Sequence, residues 1–395
     1  MKMASGLWKF KPDRSPGTSL LRPGAADWFR VFAVGMVGAF HIWQQSWIGW
    51  GKLDFLVRTG GAFVDGMILL SAFCLYLPYA HDWVAKKPFR GCKGFYRRRA
   101  VRILPGYYLA TLIPALLAAS RGVDKNFWLD VAGHLLLVPT ALPQSYVHSQ
   151  INGALWTVGV LVLFYLLFPL LSRCFYVKPM VSVCVLCAGQ LGYTLWMLPK
   201  TDLAYSMGFN QLPAMLGVLA LGFAAALLVA VWGQTKAGHK AFLLLGVAGI
   251  LGAGAVLWQI AHGAEMQHAQ LIWRMPLSTC FGAVLVGFSL AVLAPAPGFV
   301  RWLSAISYGF YLWHQWLAVQ LKYHWRIPAW QGDTPPNQLG DRLWMEQYQW
   351  LTWAVCLGAA VVCYYAVERP FAGWIKSRKG QKLPGGACQG QKTVV

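Results

Sequence analysis

Four side chains in this sequence pair a catalytic residue type with an apolar setting. In "DWFRVFAVGMVGAFHIW", Asp27 to Trp43, Arg30 and His41 interrupt a hydrophobic run with ten residues between them. Eleven helical steps of about 100° end roughly 20° past three full turns, so the two side chains share one face, about 16 Å apart. Asp65, in "GGAFVDGMILLSAF", and His314, in "YLWHQW", are isolated in the same way. An ionisable group inside a bilayer costs free energy, so each is a functional candidate. Imidazole is the side chain poised to exchange protons near neutral pH, which suits His41 to general-base work. Asp65 is then the group to orient that imidazole and leave its other nitrogen free.

A second set gathers at the other end of the same helices. Arg99 and Arg102, in "YRRRAVRILP", are spaced i, i+3 and share a helix face. Arg30 and Arg102 stand one or two residues inside apolar runs, where a bare charge needs a partner. Glu368, in "VERPF", can pair with one, and an incoming polyanion can engage the others bidentately. Arg97 and Arg98 read as ordinary anchors on the basic side of a membrane. Counted from the basic end, His41 lies about 20 Å up its span and His314 about 18 Å up. With Asp65 at comparable depth, three polar groups from three helices share one layer near the membrane middle. A ligand that touches Arg30 and His41 together is long, anionic at one end and reactive at the other. Acyl-coenzyme A has that shape, and His41 then deprotonates an acceptor hydroxyl that attacks the thioester. The competing reading is a proton-coupled transporter that uses His41, Asp65 and His314. Against it, the spans show no two-fold repeat and the arginines gather at one face. A non-catalytic membrane scaffold is the remaining alternative.

The elements that must position these groups are transmembrane helices. The 395 residues are 57% hydrophobic and 12% charged, with a mean hydropathy of +0.47. Soluble domains carry about twice that charge. The fold class is therefore all-α, a polytopic membrane protein of about ten transmembrane helices. The spans fall near 28–48, 60–80, 101–120, 155–173, 180–197, 211–232, 241–262, 273–293, 302–322 and 350–372, each near the roughly 20 residues a bilayer requires. Residues 1–27 form a polar, basic leader, 28–372 the membrane domain, and 373–395 a basic tail that ends in a disordered segment. Lys and Arg crowd the leader, the 81–100 loop and the tail, which places both termini in the cytoplasm. The same bias explains the net charge of +21 without a nucleic-acid partner. The stretch 127–143 is short, bounded by proline and carries Asp130 and His134, so it reads as a re-entrant or surface-lying helix. The loop 323–349, rich in Trp, Gln and Pro, is the expected outer acceptor surface. The cysteines lie mostly in apolar runs, and Cys184 and Cys187 read as a packed, reduced pair rather than a metal or redox site. Nothing in the spacing calls for a metal.

Six segments in order resemble the acyltransferase-3 family of integral membrane O-acyltransferases. "DWFRVFAVGMVGAFH" resembles its first-span Arg, ten residues, His signature. "GGAFVDGMILLSAF" resembles its second-span Gly/Asp/Ser-Gly-Phe pattern, with Ala72 where glycine is usual. "RAVRILPGYY", "ALWTVGVLVLFYLLFPLL", "ISYGFYLWH" and "VERPF" resemble its later elements. The resemblance implies a cytoplasmic acyl-CoA, with acetyl as the expected acyl group, as co-substrate and no permanently bound cofactor. The acceptor it implies is a hydroxyl-bearing carbohydrate, lipid-linked sugar or small molecule. It also implies a multi-pass protein of the plasma membrane, the inner membrane in a bacterium. His41 carries over as catalytic, Arg30 as its paired element, Arg99 and Arg102 as donor-binding arginines, and His314 as a pocket residue. One departure stands out: Leu161 occupies the position, five residues after Trp156, where relatives usually carry glutamate.

Overall fold

The computed structural model describes residues 23–233 and 238–380. Most of the basic leader, and the tail from residue 381, lie outside the described residues. The described chain folds into α1 (Gly24–Ser46), α2 (Asp54–Arg58), α3 (Phe63–Val84), α4 (Phe95–Ala119), α5 (Lys125–Leu135), α6 (Pro143–Tyr146), α7 (Trp156–Val177), α8 (Pro179–Met197), α9 (Asp202–Phe209), α10 (Leu216–Trp232), α11 (His239–Ala261), α12 (Met266–Ala291), α13 (Gly298–Val319), α14 (Arg342–Cys363) and α15 (Arg369–Gly380). Among the described residues there is no strand. Nine helical segments among them are long and apolar enough to cross a bilayer: α1, α3, α4, α7, α8, α10, α11, α12 and the stretch from α14 to Trp374. The tenth expected span is α13. Its 22 residues, about 33 Å, suffice in length, but Ser304, Ser307, His314 and Gln315 dilute its hydropathy. It affords that polarity because it packs against α1, α4 and α14 rather than lipid.

Burial sorts the helices. In the most apolar window of α3, 72% of residues are buried, against 17% for α8, so α3 lies at the centre and α8 at the lipid-facing rim. Cys184 on α8 is accordingly exposed, not packed as the sequence suggested. α3 and α10 approach closely at Gly222, where a Cβ would come within 2.5 Å of the Leu69 carbonyl oxygen and 2.8 Å of the Ala72 methyl. Small residues let membrane helices approach this way. The bare α-carbon of Gly222 makes the room that Ala72 takes up.

α1 and α13 lie side by side and run in the same direction. Near their starts Asp27 and Arg30 meet Ser304; near their ends His41 meets His314. α5 has 11 residues, about 16 Å, too few to span. The Asp124 carboxylate caps its first turn by accepting from the Phe127 N–H at 2.7 Å. Hydroxyls of Tyr107 and Tyr108 on α4 donate to the carbonyls of His134 and Leu135 near its end. Its buried His134 Nδ1 and Asp130 Oδ1 lie 2.9 Å apart. α14 starts eight residues earlier than the sequence pattern suggested, because the Asp341 carboxylate caps it through the Trp344 N–H at 3.0 Å. Among the described residues two π-helical turns interrupt regular winding, Gln320–His324 after α13 and Tyr364–Glu368 after α14. Such turns recur at functional sites because they re-aim side chains. Here one carries His324 and the other Glu368, at opposite ends of the bundle.

Candidate active site

His41 and His314 come together at the α1–α13 seam, with ring centroids 5.1 Å apart. His41 is partly buried, and its Nδ1 lies 2.9 Å from the Gln44 amide oxygen. An amide oxygen can only accept, so Nδ1 carries the proton and the Nε2 lone pair is free. His314 is fully buried; its Nδ1–H donates to the Tyr311 carbonyl at 2.7 Å. Its Nε2 is therefore also an acceptor, and it is buried with no hydrogen-bond partner among the described residues. The Phe310 ring stacks on His314 from one side at 5.7 Å, and the Tyr311 hydroxyl accepts from the Thr157 hydroxyl at 2.8 Å. Both histidines lie about three-quarters of the way along their helices, nearer the far end than the middle that the sequence count gave. The reason is register: α1 begins four residues before the expected span and ends two before its expected end.

The arginines assemble at the opposite end. Arg30 Nη1 donates to the Ser304 hydroxyl at 3.2 Å, and that hydroxyl donates to Asp27 Oδ1 at 2.6 Å. Arg99 and Arg102 occupy the first two turns of α4, which starts at Phe95 rather than near 101. Arg102 is exposed; Arg99 is partly buried, with its Nε lacking a hydrogen-bond partner among the described residues. All three arginines lie within electrostatic reach of the Tyr165 hydroxyl on α7. Glu368 comes within electrostatic reach of Arg102, and accepts from the Cys363 thiol at 3.6 Å.

Asp65 sits elsewhere. Its Oδ2 accepts from Arg274 Nε at 3.1 Å, with both side chains essentially inaccessible to solvent. The expectation that Asp65 orients His41 does not hold in this arrangement, because a guanidinium on α12 has claimed the carboxylate. Gln44 occupies that orienting place. Arg274 continues outward: Nη1 donates to the Phe209 carbonyl at 2.9 Å and Nη2 to Asn210 Oδ1 at 3.2 Å. Asn210 Nδ2 in turn donates to the Tyr146 hydroxyl at 2.9 Å.

The order of these parts along the chain agrees with a comparison of families. The model of the acyltransferase-3 family, an acyltransferase domain, matches residues 24–368. The chain belongs to this family. Its activity is that of an acyltransferase, which sets aside the transporter and scaffold readings. No curated protein and no solved structure matches the chain. Of the residues the sequence singled out, the structure brings His41 and His314 together and groups the three arginines at the other end; Gln44, Ser304, Tyr165 and Arg274, which stand beside them or beside Asp65, were not singled out. Gln44 was legible in principle, standing i+3 from His41 on one helix face. Arg274 also left a signal, a lone cation at the start of an expected span whose charge is opposite to that of Asp65. Ser304 and Tyr165 left none, since hydroxyls are common in packed helices.

Proposed function

We propose that this membrane acyltransferase moves an acyl group, acetyl by expectation, from cytoplasmic acyl-CoA to a hydroxyl of a carbohydrate or lipid-linked acceptor. The observation that carries this reading is the His41–Gln44 contact. With Nδ1–H held by the Gln44 oxygen, Nε2 is presented as a base of defined orientation. His41 Nε2 takes the proton of the acceptor hydroxyl as its oxygen attacks the thioester carbonyl carbon. The tetrahedral intermediate collapses with C–S cleavage, and imidazolium returns the proton to the departing thiolate, giving the ester and CoA-SH. His314 Nε2 is an acceptor facing the same seam; it holds the acceptor hydroxyl or the imidazolium partner without itself being the base. Arg30, Arg99 and Arg102 bind the phosphates of the donor, since guanidinium matches phosphate bidentately. Tyr165 and Ser304 stand among them as hydroxyl partners.

Both termini lie in the cytoplasm on this reading, because the arginine end also carries Lys86, Lys87, Lys93, Arg97 and Arg98. The membrane is the plasma membrane, inner in a bacterium. Transfer of radiolabelled acetyl from acetyl-CoA by the purified protein in nanodiscs tests the chemistry. His41→Ala should lower kcat by about 10² to 10⁴, the usual contribution of general-base catalysis. Near-normal turnover by a folded His41→Ala protein would remove His41 from the mechanism.

A further inference from the structure

A concavity opens at the end of the bundle away from the arginines, where α4 and α13 finish and α7 begins. This cleft has a volume of about 610 Å³. Its walls include Arg121, Tyr146, Trp156, Gln315, Gln320 and His324, and among the described residues lining it there is no Asp or Glu. Gln315 is the neighbour of His314, a quarter-turn round the same helix, so one helix serves both the histidine seam and the cleft floor. Of the loop 323–349, where the sequence suggested an acceptor surface, only His324 contributes.

The walls are fixed before any ligand arrives. Asp130 binds the turn that forms one side, accepting from the Gln150 N–H at 2.7 Å, the Ile151 N–H at 3.2 Å and the Ser149 hydroxyl at 3.2 Å. Asn152 Nδ2 ties that turn to α13 through the Leu312 carbonyl at 2.9 Å and to α4 through the Ala110 carbonyl at 3.3 Å. Tyr146 on the wall is the last member of the chain Asp65–Arg274–Asn210–Tyr146. The buried ion pair in the core thus braces the cleft.

The chemistry of the lining is specific. Side-chain amides offer paired donors and acceptors that match vicinal hydroxyls, and Trp156 and Tyr146 offer flat faces for the C–H side of a sugar ring. Arg121 Nη1 donates to His324 Nε2 at 2.5 Å, so that ring nitrogen is the unprotonated acceptor of a neutral imidazole. Burial and the Arg121 charge both hold His324 below its ordinary pKa, which suits the neutral imidazole to its place as acceptor in this pair. The remaining guanidinium donors face a cleft without a carboxylate.

We infer that this cleft binds the acceptor, and that the acceptor is a sugar carrying an anionic group placed on Arg121, with its ring against Trp156 and Tyr146. The inference rests on the acyltransferase reading above and names the acceptor class for the same reaction. A uronate carboxylate and a sugar phosphate share this chemistry, and the experiment separates them.

Equilibrium binding to the protein in nanodiscs is measured with three probes: tri-galacturonate, neutral galactotriose, and a polyprenyl-phosphate sugar incorporated in the bilayer. At least one anionic probe should bind roughly 10- to 100-fold tighter than galactotriose, the value of one charged hydrogen-bonding partner. Preference for tri-galacturonate assigns a glycan carboxylate; preference for the polyprenyl-phosphate sugar assigns a lipid-linked acceptor. Arg121→Ala should erase the preference while acetyl-CoA binding, read in parallel, stays unchanged; Arg121→Lys should restore part of it. Equal affinity for charged and neutral probes, or a preference that survives Arg121→Ala, overturns the inference. If the anionic probe binds as expected but His41→Ala still transfers acetyl, the cleft stands and the proposed mechanism fails instead.

Discussion

Removing Arg274 separates a structural Asp65 from a catalytic one. In Arg274→Met the Asp65 carboxylate stays buried and loses its ion pair, while the Phe209 carbonyl and Asn210 Oδ1 lose donors. Breaking a buried pair from one side costs about 3–5 kcal/mol, a factor of roughly 10² to 10³·⁵ in the ratio of folded to unfolded protein. Asp65→Asn is no milder: the amide oxygen still accepts from Arg274 Nε, but the guanidinium stays buried and charged without its counter-ion, again at about 3–5 kcal/mol. The double variant Asp65→Leu/Arg274→Met removes both charges and should recover most of the loss, since apolar replacements of buried pairs are often neutral or stabilising. The assay is unfolding in detergent by circular dichroism, followed by acetyl transfer at saturating donor. The double variant should turn over at near wild-type kcat, with a raised KM for the acceptor because Tyr146 has lost its anchored Asn210. A well-folded double variant with kcat down 10²-fold or more would refute the strut reading and return Asp65 to catalysis.

Gln44→Leu should cut kcat by about tenfold to a hundredfold by freeing the His41 tautomer, and Gln44→Glu should move the acid limb of the kcat/KM profile to higher pH. The sign follows from a carboxylate beside the ring stabilising imidazolium, so the neutral base persists only at higher pH. An unmoved limb would place Gln44 outside the reaction. Arg102→Ala, at an exposed position, should raise the KM for acetyl-CoA by roughly 10- to 100-fold with little change in kcat; unaltered donor affinity argues against the arginine end as the donor site. In a cysteine-free background, Lys87→Cys should be protected from an impermeant maleimide in intact cells and Asp333→Cys labelled, and the opposite pattern would invert the mechanism.

The parts of this molecule that follow from local spacing were readable in the sequence. Arg30 and His41 share a face because the helical period dictates it, and α1 delivers both where that period puts them. The apolar runs gave helices close to the expected bounds, and α5 fell short of a span as its Asp130, His134 and prolines suggested. What was not readable depends on which helix lies beside which. Asp65 has several conceivable partners until α12 is seen to bring Arg274 to it. That α13 can carry Ser304, Ser307, His314 and Gln315 along an expected span depends on packing, which shelters it between α1 and α14. The π turns at Gln320–His324 and Tyr364–Glu368 leave no periodic trace, yet they set where His324 and Glu368 stand.

The parallel run of α1 and α13 has a metric consequence. Arg30 to His41 is 11 residues and Ser304 to His314 is 10, about 16 Å and 15 Å of rise on two neighbouring rods. Contacts at both ends, Arg30 to Ser304 and His41 to His314, hold the rods against sliding. The pair is a caliper. A donor that keeps its charge at Arg30 while reacting at His41 must be about as long as the gap, which admits a phosphopantetheine arm and leaves a short acyl phosphate out of reach. One residue inserted into either helix between the two contacts would turn its far end by about 100° and open the jaws, so this stretch of the protein should accept substitutions far more readily than changes of length.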